Sequence, residues 1–193
     1  QISLTQGWNM VSFNVEPQNT VLLTSSGSEG ILSGLADNGN LVKVISETGS
    51  TIEYVNFLGV WDVGIDGMMN TEGYYLRVNG NDDLILSGMP VDLSNTPFEI
   101  PLTQGWNMIG YPGQNPQEAS SVLSQLIDEG SLVKVISETG STIEYISFLG
   151  VWDYGIDSFE PGEGYYVRVN QTTTLTISEG SEAARIISMN DRL

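Results

Sequence analysis

The chain contains one unit written twice, so any fold it adopts has to be buildable from two copies of that unit. Leu41–Asp66 reads LVKVISETGSTIEYVNFLGVWDVGID and Leu132–Asp157 reads LVKVISETGSTIEYISFLGVWDYGID. The copies differ only at Val55/Ile146, Asn56/Ser147 and Val63/Tyr154. An L-T-Q-G-W-N-M segment precedes each (Leu4–Met10 and Leu102–Met108), and E-G-Y-Y-x-R-V follows each (Glu72–Val78 and Glu163–Val169). With 193 residues in all, each half is long enough to bury a modest core of its own. The duplication divides the chain into a first repeat, 1–96, and a second, 97–193.

Within a unit the patterning is that of strands. Short runs rich in Val, Ile, Thr, Tyr and Trp alternate with Gly-bearing turns. Ile2–Leu4 and Trp8–Phe13 flank a Thr5-Gln6-Gly7 turn. Leu41–Ser46 and Thr51–Val55 form a hairpin around Glu47-Thr48-Gly49-Ser50, repeated over Leu132–Ile146. Phe57–Asp62 and Phe148–Asp153 are expected as strands kinked at their glycine, and Tyr74–Val78 and Tyr165–Val169 as further strands. Leu84–Ser87 and Thr174–Ser178 complete the units. Pro90–Pro97 is expected as a connector, and Arg185–Ser188 as an added edge strand. The repeats diverge most between Phe13 and Leu41. There the first carries seven extra residues within a Thr/Ser/Gly-rich loop, Thr20–Gly27. A helix is expected from about Ser28 to Asp37, and a longer one from Pro116 with Val122, Leu123, Leu126 and Ile127 on one face and Gly130 as its stop. The fold class expected is mainly β: two tandem repeats related by a pseudo-two-fold. Each is a small antiparallel β-sandwich or partly open barrel with one short helix.

The charge excludes several partners. Six basic residues stand against 24 acidic ones, for a net charge of −18. Such a field repels nucleic-acid phosphates and anionic lipid headgroups, so neither nucleic acid nor membrane is an expected partner. No histidine and no cysteine is present, which removes the usual neutral-pH base, the commonest transition-metal ligand and any disulfide. No apolar run is long enough to span a bilayer, and no segment has the pattern of a signal peptide. Carboxylates such as Glu53, Asp62, Glu144 and Asp153 could be paired across a sugar ring. Acidic residues are so abundant here that such pairing carries no information, and no nucleophile elbow, phosphate loop or metal-ligand spacing occurs. The chain is therefore expected to be non-catalytic, with no metal and no cofactor. Asn79–Asp83 offers oxygen ligands in a turn but lacks the spacing of a calcium loop, and its counterpart Asn170-Gln171-Thr172 does not share them.

Matched aromatics carry the functional argument. A ring held on a rigid strand can stack against the C–H face of a sugar with little loss of side-chain entropy. Strand alternation places Tyr74 and Tyr165 in the core and Tyr75, Arg77, Tyr166 and Arg168 on the opposite face. Trp8 and Trp106 are expected in the core. Trp61 and Trp152, each followed by an Asp and a Gly-bearing turn, are candidates for ligand contact at a loop edge. The conserved-spacing cations Lys43, Lys134, Arg77 and Arg168 are expected in ion pairs on the sheet surface. A sharper alternative is that Tyr75/Arg77 and Tyr166/Arg168 form a stacking-plus-charge patch for a sugar bearing carboxylate or sulfate. The candidate ligand-binding set is Trp61, Asp62, Tyr75, Arg77, Trp152, Asp153, Tyr166 and Arg168.

The L-T-Q-G-W-N-M openings and the closing Pro161-Gly162-Glu163-Gly164-Tyr165-Tyr166 resemble the GWN/GEGYY-type β-rich modules found in tandem in secreted bacterial proteins. Asn70-Thr71-Glu72-Gly73 departs from the closing pattern by lacking Pro-Gly. The resemblance covers nearly the whole chain. It implies a secreted, extracellular, non-catalytic carbohydrate-binding module that binds polysaccharide and is joined to catalytic or surface domains in a longer protein. The alternative expectation is a structural or adhesive spacer of a cell-surface protein, with no glycan ligand.

Overall fold

The computed structural model describes residues 1–18 and 20–179; the expected strand at Arg185–Ser188 lies outside them. In the first repeat the strands are β1 (Ile2–Leu4), β2 (Gly7–Ser12), β3 (Val15–Pro17), β4 (Leu41–Ser46), β5 (Thr51–Val55), β6 (Val60–Val63), β7 (Gly73–Val78), β8 (Asp82–Leu84) and β9 (Gly88–Pro90). Helix α1 (Ser33–Asp37) lies between β3 and β4. The second repeat runs β10 (Phe98–Leu102), β11 (Gly105–Gly110), β12 (Gln117–Glu118), α2 (Ala119–Val122), α3 (Ser124–Asp128), β13 (Leu132–Ile136) and β14 (Thr142–Ile146). It closes with β15 (Val151–Tyr154), β16 (Ser158–Phe159), β17 (Gly164–Val169) and β18 (Thr173–Ile177). With 46% of the described residues in strands against 8% in helices, the protein is mainly β, as its patterning predicts.

Each repeat supplies its own five-stranded antiparallel sheet, in the orders β2-β7-β4-β5-β6 and β11-β17-β13-β14-β15. Two-stranded sheets accompany them: β1-β8 and β3-β9 in the first repeat, β10-β18 and β12-β16 in the second. The core of each repeat lies on the inner face of its large sheet, and among the described residues no sheet closes into a barrel. The first core gathers Val11, Phe13, Val44, Ile52, Tyr74 and Leu76 with Leu22, Leu32 and Leu35 from the variable segment. The second gathers Ile109, Tyr111, Val135, Ile143, Tyr165 and Val167 with Val122, Leu123 and Leu126. Burying side chains of this size contributes roughly 1.5–3 kcal/mol each against conformational entropy.

Several local expectations are revised. The FLG residues form a turn, with the Leu58 and Gly59 N–H groups donating to the Val55 carbonyl, so the strand begins only at Val60. The first-repeat helix shrinks to Ser33–Asp37, because Ile31 and Leu32 donate instead to the Val21 and Leu22 carbonyls. In the second repeat the expected helix is divided between α2 and α3, with Leu123 between them. Val91 and Leu93, placed by sequence in a connector of the first repeat, are buried in the second core. The second unit therefore begins to pack about five residues before the 96/97 division.

The repeats meet about a pseudo-two-fold. Met10 lies at the position of Met108, and each packs on a glycine of the other repeat. A Cβ built on Gly164 would lie 3.0 Å from the Met10 side chain, and one on Gly73 2.9 Å from that of Met108. The same glycines approach each other, Cβ to Cα, at 3.4–3.5 Å, so their missing side chains are what permits the contact. β2 and β11 are edge strands, each with a row of backbone groups that no strand of its own sheet takes up. Glu138, in the β13–β14 loop, accepts the Met10 N–H at 2.8 Å; Glu47, in the β4–β5 loop, accepts the Met108 N–H at 3.1 Å. Ser12 donates its N–H to the Gly162 carbonyl and its hydroxyl to the Glu163 carbonyl, and its Oγ accepts the Tyr111 N–H.

The recurring motifs have structural duties within this frame. Asn9 and Asn107 are 4% exposed. Each accepts the N–H of Thr5 or Thr103 at 2.8 Å and donates back to the same residue's carbonyl at 2.9 Å, bracing the turn before the edge strand. Tyr74 and Tyr165 fill the cores, accept the N–H of Met69 and Glu160, and donate to Glu72 and Glu163. Burial pushes the Tyr74 hydroxyl up to about 12 and that of Tyr165 up as well. Removing the Asn107 amide leaves partly buried backbone groups of Thr103 and Gly105 without this partner, so Asn107→Ala is expected to cost about 1–2 kcal/mol in chemical denaturation, with an unchanged fold.

Burial also pushes up the Glu47 and Glu163 carboxyls, against the partial relief of the Met108 N–H and the Tyr165 hydroxyl respectively. Both hold a proton more tightly folded than unfolded. Their stabilising contribution is thus complete below the unfolded carboxylate range and is lost as pH rises through the folded values. The melting temperature is expected to be higher near about pH 5 than near about pH 7. Glu47→Gln/Glu163→Gln, which keeps an acceptor oxygen at each site, is expected to flatten that slope; an unaltered slope would contradict it.

Candidate ligand-binding face

Cross-strand register builds one row across the outer face of each sheet. In the first repeat Trp8 stands opposite Arg77, Arg77 opposite Lys43, Lys43 opposite Glu53 and Glu53 opposite Asp62. The second repeats it as Trp106, Arg168, Lys134, Glu144 and Asp153. Opposed residues of paired strands share a face. The row depends on a bulge between Leu41 and Lys43, and between Leu132 and Lys134. Strict alternation would put Leu41 and Lys43 on the same side; the extra residue lets Leu41 remain in the core while Lys43 faces out.

Tyr75 and Tyr166, on the same faces as the rows, join their two tryptophans. Trp8 contacts Tyr75 edge-on with ring centroids 5.9 Å apart, Tyr75 contacts Tyr166 at 6.0 Å, and Tyr166 contacts Trp106 edge-on at 6.0 Å. Arg77 places its Cζ 5.8 Å from the Trp8 ring centroid, and Arg168 lies 5.9 Å from that of Trp106. Both tryptophans are 43% exposed. The result is an unbroken aromatic run across the pseudo-two-fold, with a guanidinium at each end. Burial raises the Tyr75 hydroxyl above its ordinary value, and the Tyr166 hydroxyl beside it adds to the shift.

The placement of Trp8 and Trp106 overturns their expected core position. Val11 and Phe13 belong to the core, whereas Trp8 stands opposite the outward Arg77. Pairing Trp8 against Arg77, which alternation had already turned outward, is the signal that would have found this. Tyr75 and Tyr166 are half-buried and Arg77 and Arg168 exposed, on the face predicted for them.

Trp61 and Trp152, the candidates for ligand contact at a loop edge, differ from each other in burial. Trp61 is 8% exposed and part of the first core. Its backbone N–H donates to the Ser25 carbonyl, and Gly27 presses so close to the ring that an added Cβ would lie 2.6 Å from Nε1. The covering residues belong to the Thr20–Gly27 loop that the second repeat lacks, so Trp152 stays half-buried, packed partly on the second core. Asp62 and Asp153 follow these tryptophans in the same strands and therefore point to the opposite, outer face, where both are exposed. Trp61 and Asp62 thus do not form one site, and neither do Trp152 and Asp153.

The cations divide. Lys43 pairs with Glu53 at 2.8 Å and Lys134 with Glu144 at 2.9 Å, as expected. Arg77 and Arg168 have neither an ion pair nor a hydrogen bond to a carboxylate among the described residues. In the same set, no group of His, Cys, Asp or Glu residues is arranged to hold a metal ion, and no helix is long and apolar enough to cross a membrane. Comparisons with protein-family models, curated proteins and solved structures return no match.

The loop over Trp61 yields a sharp expectation. Gly27 has φ +79° as well as no room for a Cβ. Gly27→Ala is expected to lower stability by about 1–3 kcal/mol. In a variant whose only tryptophan is Trp61, it is expected to increase quenching by acrylamide.

Proposed function

We propose that the protein is a non-catalytic carbohydrate-binding module of a secreted bacterial multidomain protein, and that it binds polysaccharide on the face joining its two repeats. The observation carrying this reading is the open run Trp8–Tyr75–Tyr166–Trp106. Rings on paired strands, the two tryptophans exposed and the two tyrosines between them half-buried, and all held by ring-to-ring contact, suit stacking against sugar faces. The binding set keeps Tyr75, Arg77, Tyr166 and Arg168 and adds Trp8 and Trp106 in place of Trp61 and Trp152. One continuous surface replaces two separate sites, so a single polymer strand engages both repeats without relying on linker geometry.

A second reading, an adhesive or structural spacer of a cell-surface protein, draws on a different feature. Phe57 and Phe148 are 86% and 85% exposed at matching turns, beside exposed Leu58 and Leu149. Apolar turn tips of this kind suit attachment to another protein.

Retention on a panel of insoluble and soluble polysaccharides, neutral and anionic, separates the two. Trp8→Ala/Trp106→Ala is expected to fold as the parent does and to lose about tenfold or more in affinity for the retained polymer. Phe57→Ser/Phe148→Ser, on turns next to the far sheet edges, is expected to bind normally. Retention of the parent on no polymer would favour the spacer.

A further inference from the structure

The cationic side chains of the described residues are four: Lys43, Arg77, Lys134 and Arg168. All four stand in the two outer-face rows that flank the aromatic run. In a chain with 24 acidic residues, a surface arginine has no shortage of carboxylates to pair with. The neighbouring lysines find them at Glu53 and Glu144. Arg77 and Arg168 do not, although each stands directly opposite a lysine that does. Their contacts are with tryptophan rings instead. A guanidinium over an aromatic ring keeps its in-plane N–H donors directed outward, where they can take a carboxylate in two parallel hydrogen bonds.

Resting on the carbohydrate-binding reading above, we infer that the polymer is acidic: a polysaccharide carrying uronate carboxylates, with Arg77 and Arg168 each receiving one carboxylate while the rings between them stack on the intervening sugars. The two arginines sit at opposite ends of the aromatic run, so their spacing selects acidic groups separated by several ring contacts along one strand. Lys43 and Lys134, adjacent in the rows but neutralised by their glutamates, soften the potential without competing for the ligand. The overall charge of −18 opposes a polyanion at long range. That opposition is screened beyond a Debye length of about 8 Å at physiological salt, whereas the arginines act at contact. A uronate polymer with one carboxylate per acidic sugar is opposed less than a densely sulfated one.

The test measures binding of the full chain to polygalacturonate, to the same polymer with its carboxylates methyl-esterified, to dextran sulfate, and to neutral glucans. The expected result is binding to polygalacturonate roughly ten- to a hundredfold tighter than to its methyl ester. Arg77→Gln/Arg168→Gln is expected to abolish that preference, and Arg77→Lys/Arg168→Lys to restore only part of it. Both side chains are exposed, so the melting temperature of these variants is expected to match the parent's and to exclude unfolding as the cause. Equal binding to acid and ester, or tighter binding to dextran sulfate than to polygalacturonate, would overturn the uronate assignment. So would arginine variants that keep the preference. Binding to a neutral glucan that is lost in Trp8→Ala/Trp106→Ala would defeat the acidic ligand and leave the carbohydrate reading standing. Binding to none of these polymers would defeat both.

Discussion

Two edge strands capped by each other's repeat hold this molecule in its arrangement. Strands β2 and β11 begin their sheets and cannot complete their hydrogen bonding within them. Glu138 and Glu47 reach across the pseudo-two-fold to take the Met10 and Met108 N–H groups, and Ser12 engages the Gly162–Glu163 turn. An exposed strand edge invites pairing with other chains; here the second copy of the unit occupies it. The contact is possible only because Gly73 and Gly164 carry no side chain where Met108 and Met10 press in. The closing motif therefore contributes its glycine to the junction and its first tyrosine to the core.

The same junction creates the candidate binding face. Tyr75 and Tyr166 come from different repeats and touch because the glycines two residues earlier in each strand touch. Had the repeats been joined by a loose linker, each would offer one tryptophan and one tyrosine. Joined this way, they present four rings in contact and, at either end, a guanidinium that has no carboxylate partner among the described residues. The junction also holds two partly desolvated carboxyls, Glu47 and Glu163, whose burial raises their affinity for a proton.

Much of the architecture was legible in the residues. Duplication predicts two equivalent units, hairpins at Glu47–Ser50 and its repeat follow from their loops, and alternation in Tyr74–Val78 sorts core from surface correctly. Failures occurred where a neighbour distant in sequence decides the outcome. Adjacency in sequence suggests one site for Trp61 and Asp62, but successive strand residues face opposite ways, and a loop absent from the other repeat covers Trp61. Trp8 was placed inside because apolar residues surround it, whereas its register against Arg77 turns it out. The bulge that frees Lys43 from the face of Leu41 leaves no mark in the local pattern.

The amino-acid sequence by itself determined that this is a β protein of two like halves, that its charge is strongly acidic, and which face of Tyr74–Val78 and of Tyr165–Val169 lies inward. These follow from periodicity, composition and repetition, which are properties of neighbouring residues. Only the tertiary structure decided which tryptophans are open, which cations lack partners, and that the two halves share one face. Each of those outcomes depends on contacts between residues far apart along the chain. A single missing loop, or a glycine without a Cβ, changes the environment of a side chain whose own local sequence is the same in both copies.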